Sequence, residues 1–237
     1  MMRVRIVGYT VADPEFVAEC KAEALSRGKT EPEFADIQDL IAFCARVSNP
    51  ANQMNEQTSA KLIKYLIKHS HWSPLEMVNA TLEIDTTRDI AHQIVRHRSF
   101  AFQEFSQRYA NPEDMGDMFE FSEARLQDEK NRQNSIETQD VAVQVWWDAK
   151  QKWIAEQAKS AYNEALAKGI AKEQARKILP EGITKTRLYM QGSLRSWLHY
   201  IELRSANGTQ KEHMAIAIAC AEIIGRIFPL MIELKEI

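Results

Sequence analysis

The 237-residue sequence predicts an α+β fold, rich in helix and arranged around a central, mostly antiparallel sheet. Apolar residues recur at helical spacing along most of the chain, whereas three short segments alternate with period two. Glycine is scarce, with eight residues and no GxG, which excludes the Rossmann fingerprint and a P-loop and leaves any phosphates to be held mainly by side chains. There is no internal repeat or low-complexity segment. At 45% hydrophobic and 27% charged residues the composition is that of an ordinary globular protein able to bury a large core, read here as one domain over 1–237.

Taken in order, Arg3 to Tyr9 alternates as a strand. Asp36 to Arg46 carries Ile37, Leu40, Ile41 and Cys44 at helical spacing, and Lys61 to Lys68 continues with Leu62, Ile63, Tyr65, Leu66 and Ile67. His71-Trp72-Ser73-Pro74 breaks that helix, because proline disfavours helical backbone in the residue before it. Met77 to Asp85 sets Val78, Ala80, Leu82 and Ile84 on one face of a strand. Thr86 or Thr87 can cap the next helix, with Asp89 near its positive end. That helix runs to about Arg96, with Ile90, Ala91, Ile94 and Val95 on one side and Asp89, His92, Gln93 and Arg96 on the other. Residues Pro112 to Asn134 are polar and acidic and read as a mobile excursion or lid. Val141 to Leu166 is a long helix, Glu173 to Leu179 a short one ended by Pro180, Thr184 to Met190 a strand, Leu194 to Leu203 a helix, and Thr209 to Ile227 a final long helix.

The formal net charge of −3 draws the chain to neither nucleic acid nor an anionic membrane as a whole, so any basic function is local. Cys20, Cys44 and Cys220 are odd in number and widely spaced, which indicates reduced thiols in a cytoplasmic protein and no zinc knuckle. The amino terminus lacks the apolar run of a signal peptide. The most apolar stretch, Ala215 to Ile232, contains Glu222 and Arg226 and suits a packed helix better than a membrane span.

The most informative stretch is Arg96 to Tyr109, which places Arg96, His97, Arg98, Glu104, Ser106 and Arg108 among three phenylalanines and a tyrosine. Guanidinium pairs with phosphate in a bidentate fork and aromatic faces stack on rings, so the stretch suits an anionic, flat ligand. Consecutive residues on a helix point about 100° apart; at a helix end Arg96, His97 and Arg98 can instead fan around something long. A plain ion pair between Glu104 and Arg108 is the simplest alternative. Arg195 and His199 share a helix face, with Arg204 further along, and a solvated face is the simpler reading of that group. His69, His71, His92 and His97 lack metal-site spacing and paired carboxylates, so no metal is expected. Ser106 has no base in view and reads as a hydrogen-bonding group. Two further readings stand beside a ligand-binding enzyme: a stacking groove for single-stranded nucleic acid, which the acidic balance disfavours, and a metal-independent phosphodiesterase using two histidines.

Arg96 to Tyr109 resembles the signature RHRxxSxNExSxRY of flavin-dependent thymidylate synthases of the ThyX type, departing at Ala101 (serine in the pattern) and Gln103 (asparagine). Four more segments are similar to elements of that family in the same order: Ala45-Arg46-Val47-Ser48 to ARxS, His71-Trp72-Ser73-Pro74-Leu75-Glu76 to HxSPxE, Ala175 to Pro180 to ARxxLP, and Gly192 to Arg204 to GNxRxxxHFxxLR with Ser193 for asparagine. The resemblance implies a ThyX-like fold and a homotetramer with active sites between subunits. It implies methylation of dUMP to dTMP with 5,10-methylenetetrahydrofolate as carbon donor and FAD, reduced by NADPH, as hydride carrier. It implies that Ser73, Arg96, His97, Arg98, Glu104, Ser193, Arg195 and His199 contact FAD. Gln93, Arg96, Glu104, Ser106, Arg108, Arg176 and Arg204 would hold dUMP, with Arg204 as the catalytic arginine. No nucleic-acid polymer, membrane or metal enters this expectation.

Overall fold

The computed structural model describes residues 3–234. Its strands are β1 (Arg3–Tyr9), β2 (Asn79–Thr87), β3 (Ala101–Glu104), β4 (Arg125–Gln127), β5 (Ser135–Glu137) and β6 (Lys185–Ser193). Its α-helices are α1 (Pro14–Ser26), α2 (Ile37–Ala45), α3 (Ser59–Lys68), α4 (Arg88–Ile94), α5 (Val141–Ala167), α6 (Lys172–Ala175), α7 (Leu194–Ser205), α8 (Lys211–Ile224) and α9 (Leu230–Leu234). Four strands form one sheet in the order β1-β2-β6-β3, with every neighbouring pair antiparallel.

Alternation along the strands separates the faces of this sheet. Ala80, Leu82 and Ile84 of β2 and Leu188 and Met190 of β6 point into the core, where they meet Ile90, Ala91 and Ile94 of α4, Trp197 and Ile201 of α7, and Ile216, Ala217 and Ile224 of α8. The opposite face is polar and internally paired. Arg5 Nη2 donates to Glu83 Oε2 at 2.8 Å, Tyr189 OH donates to the same oxygen at 2.9 Å, and Arg187 holds both oxygens of Asp85. Leu194, Trp197 and Ile201 bury one stripe of α7 at the i, i+3, i+7 spacing of an amphipathic helix, which leaves Arg195 and His199 exposed on another.

The structure extends the sequence reading in places and corrects it in others. α1, which no strong periodicity announces, buries only Cys20 and Ala24. β3 lies inside the arginine-rich stretch itself and pairs with β6. The segment 112–134, read from the sequence as a mobile excursion or lid, holds a 3-10 turn (Pro112–Met115) and the first strand of the β4–β5 hairpin. That strand is tied to α8 by Arg125 Nη2 donating to Glu212 Oε1 at 2.6 Å. The short helix before Pro180 is one turn of α-helix followed by a 3-10 turn, Arg176–Ile178. The final long helix stops at Ile224, and α9 begins after Pro229. No helix among the described residues is long and apolar enough to cross a membrane.

Candidate active site

α4 ends at Ile94, and a tight turn then carries Arg96 and Arg98 outward and sets His97, half-buried, edge-on to Tyr200 before β3 begins. The turn is seated by Phe100, whose ring lies over Gly192 and edge-on to Trp197 at 4.8 Å. A Cβ at position 192 would fall 2.5 Å from that ring, so glycine there is a requirement of close approach. Ser196 Oγ donates to the carbonyl of Ser99 at 3.2 Å, which fastens the same turn to the start of α7.

The predicted residues fall into three groups. The first joins the ends of α4 and α7 to α8. Arg204 Nε donates to His97 Nε2 at 2.9 Å. Gln93 Nε2 donates to Gln210 Oε1 at 2.7 Å, and Gln93 Oε1 lies 3.2 Å from His213 Nδ1. An amide oxygen only accepts, so His213 carries its proton on Nδ1 and its Nε2 accepts from Tyr200 OH at 3.1 Å. His213 is wholly buried, and burial, with Arg204 and His97 close by, lowers its pKa to about 3. Burial first, and Arg204 second, also lower the pKa of His97. Both imidazoles are therefore neutral at pH 7, and Arg204 is anchored through Nε without neutralisation. Among the described residues no protein acceptor meets its Nη1 or Nη2, which leaves the fork of the guanidinium open.

The second group surrounds the end of β3. Glu104 Oε1 accepts from Thr186 Oγ1 at 2.8 Å and from Arg88 Nη1 at 3.2 Å. Arg108 pairs with Glu173 at 3.5 Å, so the Glu104–Arg108 ion pair expected as the simplest alternative does not form. The helical i, i+4 rule does not hold where a strand runs into a turn. Ser106, half-buried, has no side-chain hydrogen bond among the described residues, and the adjacent Gln107 is buried with Nε2 lacking an acceptor. Arg176 stands in the 3-10 turn and, among the described residues, has no carboxylate partner.

The third group lies at the start of α7. Ser193 caps the helix, accepting from Ser196 N. Arg195 Nη1 donates to Glu76 Oε1 at 2.8 Å, and the Ser193 hydroxyl and then Arg195 hold the Glu76 carboxyl below the usual carboxylate range. His199 meets Trp72 edge-on at 4.5 Å, and Ser73 opens the adjoining 3-10 turn. Arg195 and Arg204 are separated by about 14 Å along the helix. Arg96 and Arg98 are exposed and, among the described residues, without a carboxylate partner. By contrast Arg5, Arg88, Arg125 and Arg187 are each matched to carboxylates, as Arg108 and Arg195 are among the predicted arginines. Arg46 of the ARxS element is structural too: it donates to Asn55 O and Thr58 Oγ1 and clamps the end of α2. Gln210, Tyr200, His213, Arg88, Thr186 and Glu76 escaped the sequence reading because each works through a partner distant in sequence. A groove of about 810 Å³ between the β4–β5 hairpin, α5 and the turn before α8 reaches Gln210, but none of the predicted site residues lines it.

Guanidiniums left open at the end of α7 (Arg204) and on the α4–β3 turn (Arg96, Arg98) are the chemistry of a protein class that holds anionic ligands by side chains. Residues 33–230 match the family described as thymidylate synthase complementing protein. The chain is 50% identical over 225 residues to the flavin-dependent thymidylate synthase of Synechocystis sp., covering 94% of this chain and 99% of that one. It is 53% identical over 192 residues to the probable flavin-dependent thymidylate synthase of Paramecium bursaria Chlorella virus 1, covering 81% and 87%. The fold is similar to the crystal structure of the UMP/dUMP methylase PolB from Streptomyces cacaoi, with a TM-score of 0.74 at 20% identity over 99% of this chain and 94% of that one. The chain belongs to the family of flavin-dependent thymidylate synthases.

Proposed function

We propose that this chain methylates dUMP to dTMP in the cytoplasm, as one domain over 1–237, taking the carbon from 5,10-methylenetetrahydrofolate. When bound, FAD reduced by NADPH supplies the hydride. The observation that carries the reading is Arg204, held by Nε to a neutral His97 with its fork unoccupied. Methylation needs C5 of uracil to act as a nucleophile, and C5 is richest in electrons when the ring is polarised toward an N3 anion, which places negative charge on the O2/N3 edge. A fixed guanidinium at that edge stabilises the charge as an oxyanion hole does, an effect worth about 3–4 kcal/mol. No thiol is prepared for the alternative of addition to C6. Burial raises the pKa of Cys20, Cys44 and Cys220, and Cys220 is fully enclosed.

The donor set fits a dinucleotide cofactor: among the described residues Arg96 and Arg98 have no carboxylate counter-ion, and no glycine loop competes for phosphates. In this reading Ser73, Arg96, His97, Arg98, Glu104, Ser193, Arg195 and His199 hold FAD. Gln93, Arg96, Glu104, Ser106, Arg108, Arg176 and Arg204 hold dUMP. The reading includes a homotetramer whose sites form between subunits. The test is tritium release from C5-labelled dUMP with FAD, NADPH and the folate donor supplied. Release that requires all three is expected; a folded, flavin-loaded protein that releases none overturns the reading.

A further inference from the structure

Four side chains from different elements form one line of hydrogen bonds: Gln210 at the start of α8, Gln93 on α4, His213 on α8 and Tyr200 on α7. Each of them can donate or accept, since amides turn over and a neutral imidazole has two tautomers. The line therefore has two polarities, and a group that can only accept, placed at one end, selects between them. Glu212 is that group. Arg125 Nη2 donates to its Oε1 at 2.6 Å, while Oε2 is buried and has no close partner. Burial works against its charge, but hydrogen bonds from Arg125, from its own backbone N–H and, more weakly, from the Gln210 side chain hold the Glu212 carboxyl below the usual carboxylate range. A carboxylate takes only donors, so Gln210 turns its amide nitrogen toward Glu212 and its oxygen toward Gln93. Gln93 then donates from Nε2 at 2.7 Å, its Oε1 faces His213 Nδ1 at 3.2 Å, and His213 Nε2 accepts from Tyr200 OH at 3.1 Å.

The consequence falls on Gln93. Its amide nitrogen carries two hydrogens. One goes to Gln210; among the described residues no acceptor meets the other, and the side chain is half-buried. This open N–H stands in the group that holds Arg204 and His97, whose ring lies 6.4 Å from that of His213. The phosphate and carbonyl oxygens of a pyrimidine nucleotide accept hydrogen bonds and do not donate them. With the polarity reversed, the amide oxygen of Gln93 would occupy the same place and repel them. We propose that Glu212 is a positioning residue: through Gln210, with His213 as the support on the far side, it fixes Gln93 so that an N–H and not a carbonyl oxygen faces dUMP. The inference rests on the reading of Gln93 as a dUMP contact.

The test uses the full chain and Glu212→Gln. Arg125 holds the amide oxygen of the new side chain, which leaves its nitrogen for Gln210 and reverses every bond in the line. Nitrogen-15 NMR of labelled imidazoles, with the His213 signals assigned by their loss in His213→Gln, is expected to show the proton on Nδ1 in wild type and on Nε2 in Glu212→Gln. Titrated against the flavin-loaded proteins, dUMP is expected to bind on the order of tenfold more weakly to Glu212→Gln and to Gln93→Ala, with no further weakening in the double variant. A merely structural cost of Glu212→Gln would instead add to that of Gln93→Ala. A wild-type proton on Nε2, a proton on Nδ1 in both proteins, or additive losses in the double variant overturns the inference. So does an unchanged dUMP affinity in Glu212→Gln beside a weakened Gln93→Ala. Undiminished affinity in Gln93→Ala overturns the inference together with the assignment of Gln93 to dUMP.

Discussion

Replacing His213 with glutamine removes a titrating group from the interior while leaving a donor for Gln93 and an acceptor for Tyr200. In the unfolded chain a histidine takes up its proton near pH 6.5; in the folded protein burial delays this until about pH 3. Between those values the unfolded state binds the extra proton, so acidification favours unfolding, and stability present above pH 6.5 is lost as pH falls toward 3. At 1.36 kcal/mol per unit of displacement, the loss attributable to His213 between pH 7 and pH 4 is about 3 kcal/mol. That is a large part of a typical folding free energy of about 5–15 kcal/mol. Carboxylates held below their ordinary range, such as Glu76 and Glu83, also lose stability in acid, as does the neighbouring His97, but all are common to both proteins. Urea unfolding at pH 7 and pH 4 should therefore show wild type losing about 3 kcal/mol more than His213→Gln. Equal losses in the two proteins would refute the assignment of His213 as a neutral, buried base.

Arg204→Ala is expected to lower turnover by about 10²–10³-fold while flavin difference spectra show nearly unchanged FAD affinity; full activity would remove Arg204 from the chemistry. Gly192→Ala forces a methyl group into the ring of Phe100 and should cost about 1–3 kcal/mol in chemical denaturation. A chain with Cys20, Cys44 and Cys220 all replaced by alanine should retain tritium release, since no thiol takes part; loss of release from a folded variant would restore a thiol mechanism.

Much of the frame was legible because burial of one sheet face imposes strict alternation. Ala80, Leu82 and Ile84 marked β2, and Leu188 and Met190 marked β6. α1 was not legible, because a helix that buries only Cys20 and Ala24 leaves little periodicity to find. β3 is four residues long and sits among guanidiniums and aromatics whose pattern reflects the site more than the sheet. The arginines of the site were visible by their density between Arg96 and Arg108, and the structure supplies the contrast between those matched to carboxylates and those left open. His213 was hidden for a plain reason: one histidine in an apolar helix looks like a satisfied core residue until Gln93 and Tyr200, distant in sequence, are seen on either side of its ring.

The central claim is that guanidiniums from separate segments seat a flavin against a pyrimidine nucleotide, and titration of the visible spectrum addresses it directly. FAD added to the folded protein should give a perturbed absorption band that saturates at one flavin per chain, and dUMP should then shift that bound band in a saturable way. A flavin spectrum identical to that of free FAD at saturating protein, or a bound band indifferent to dUMP, would contradict it.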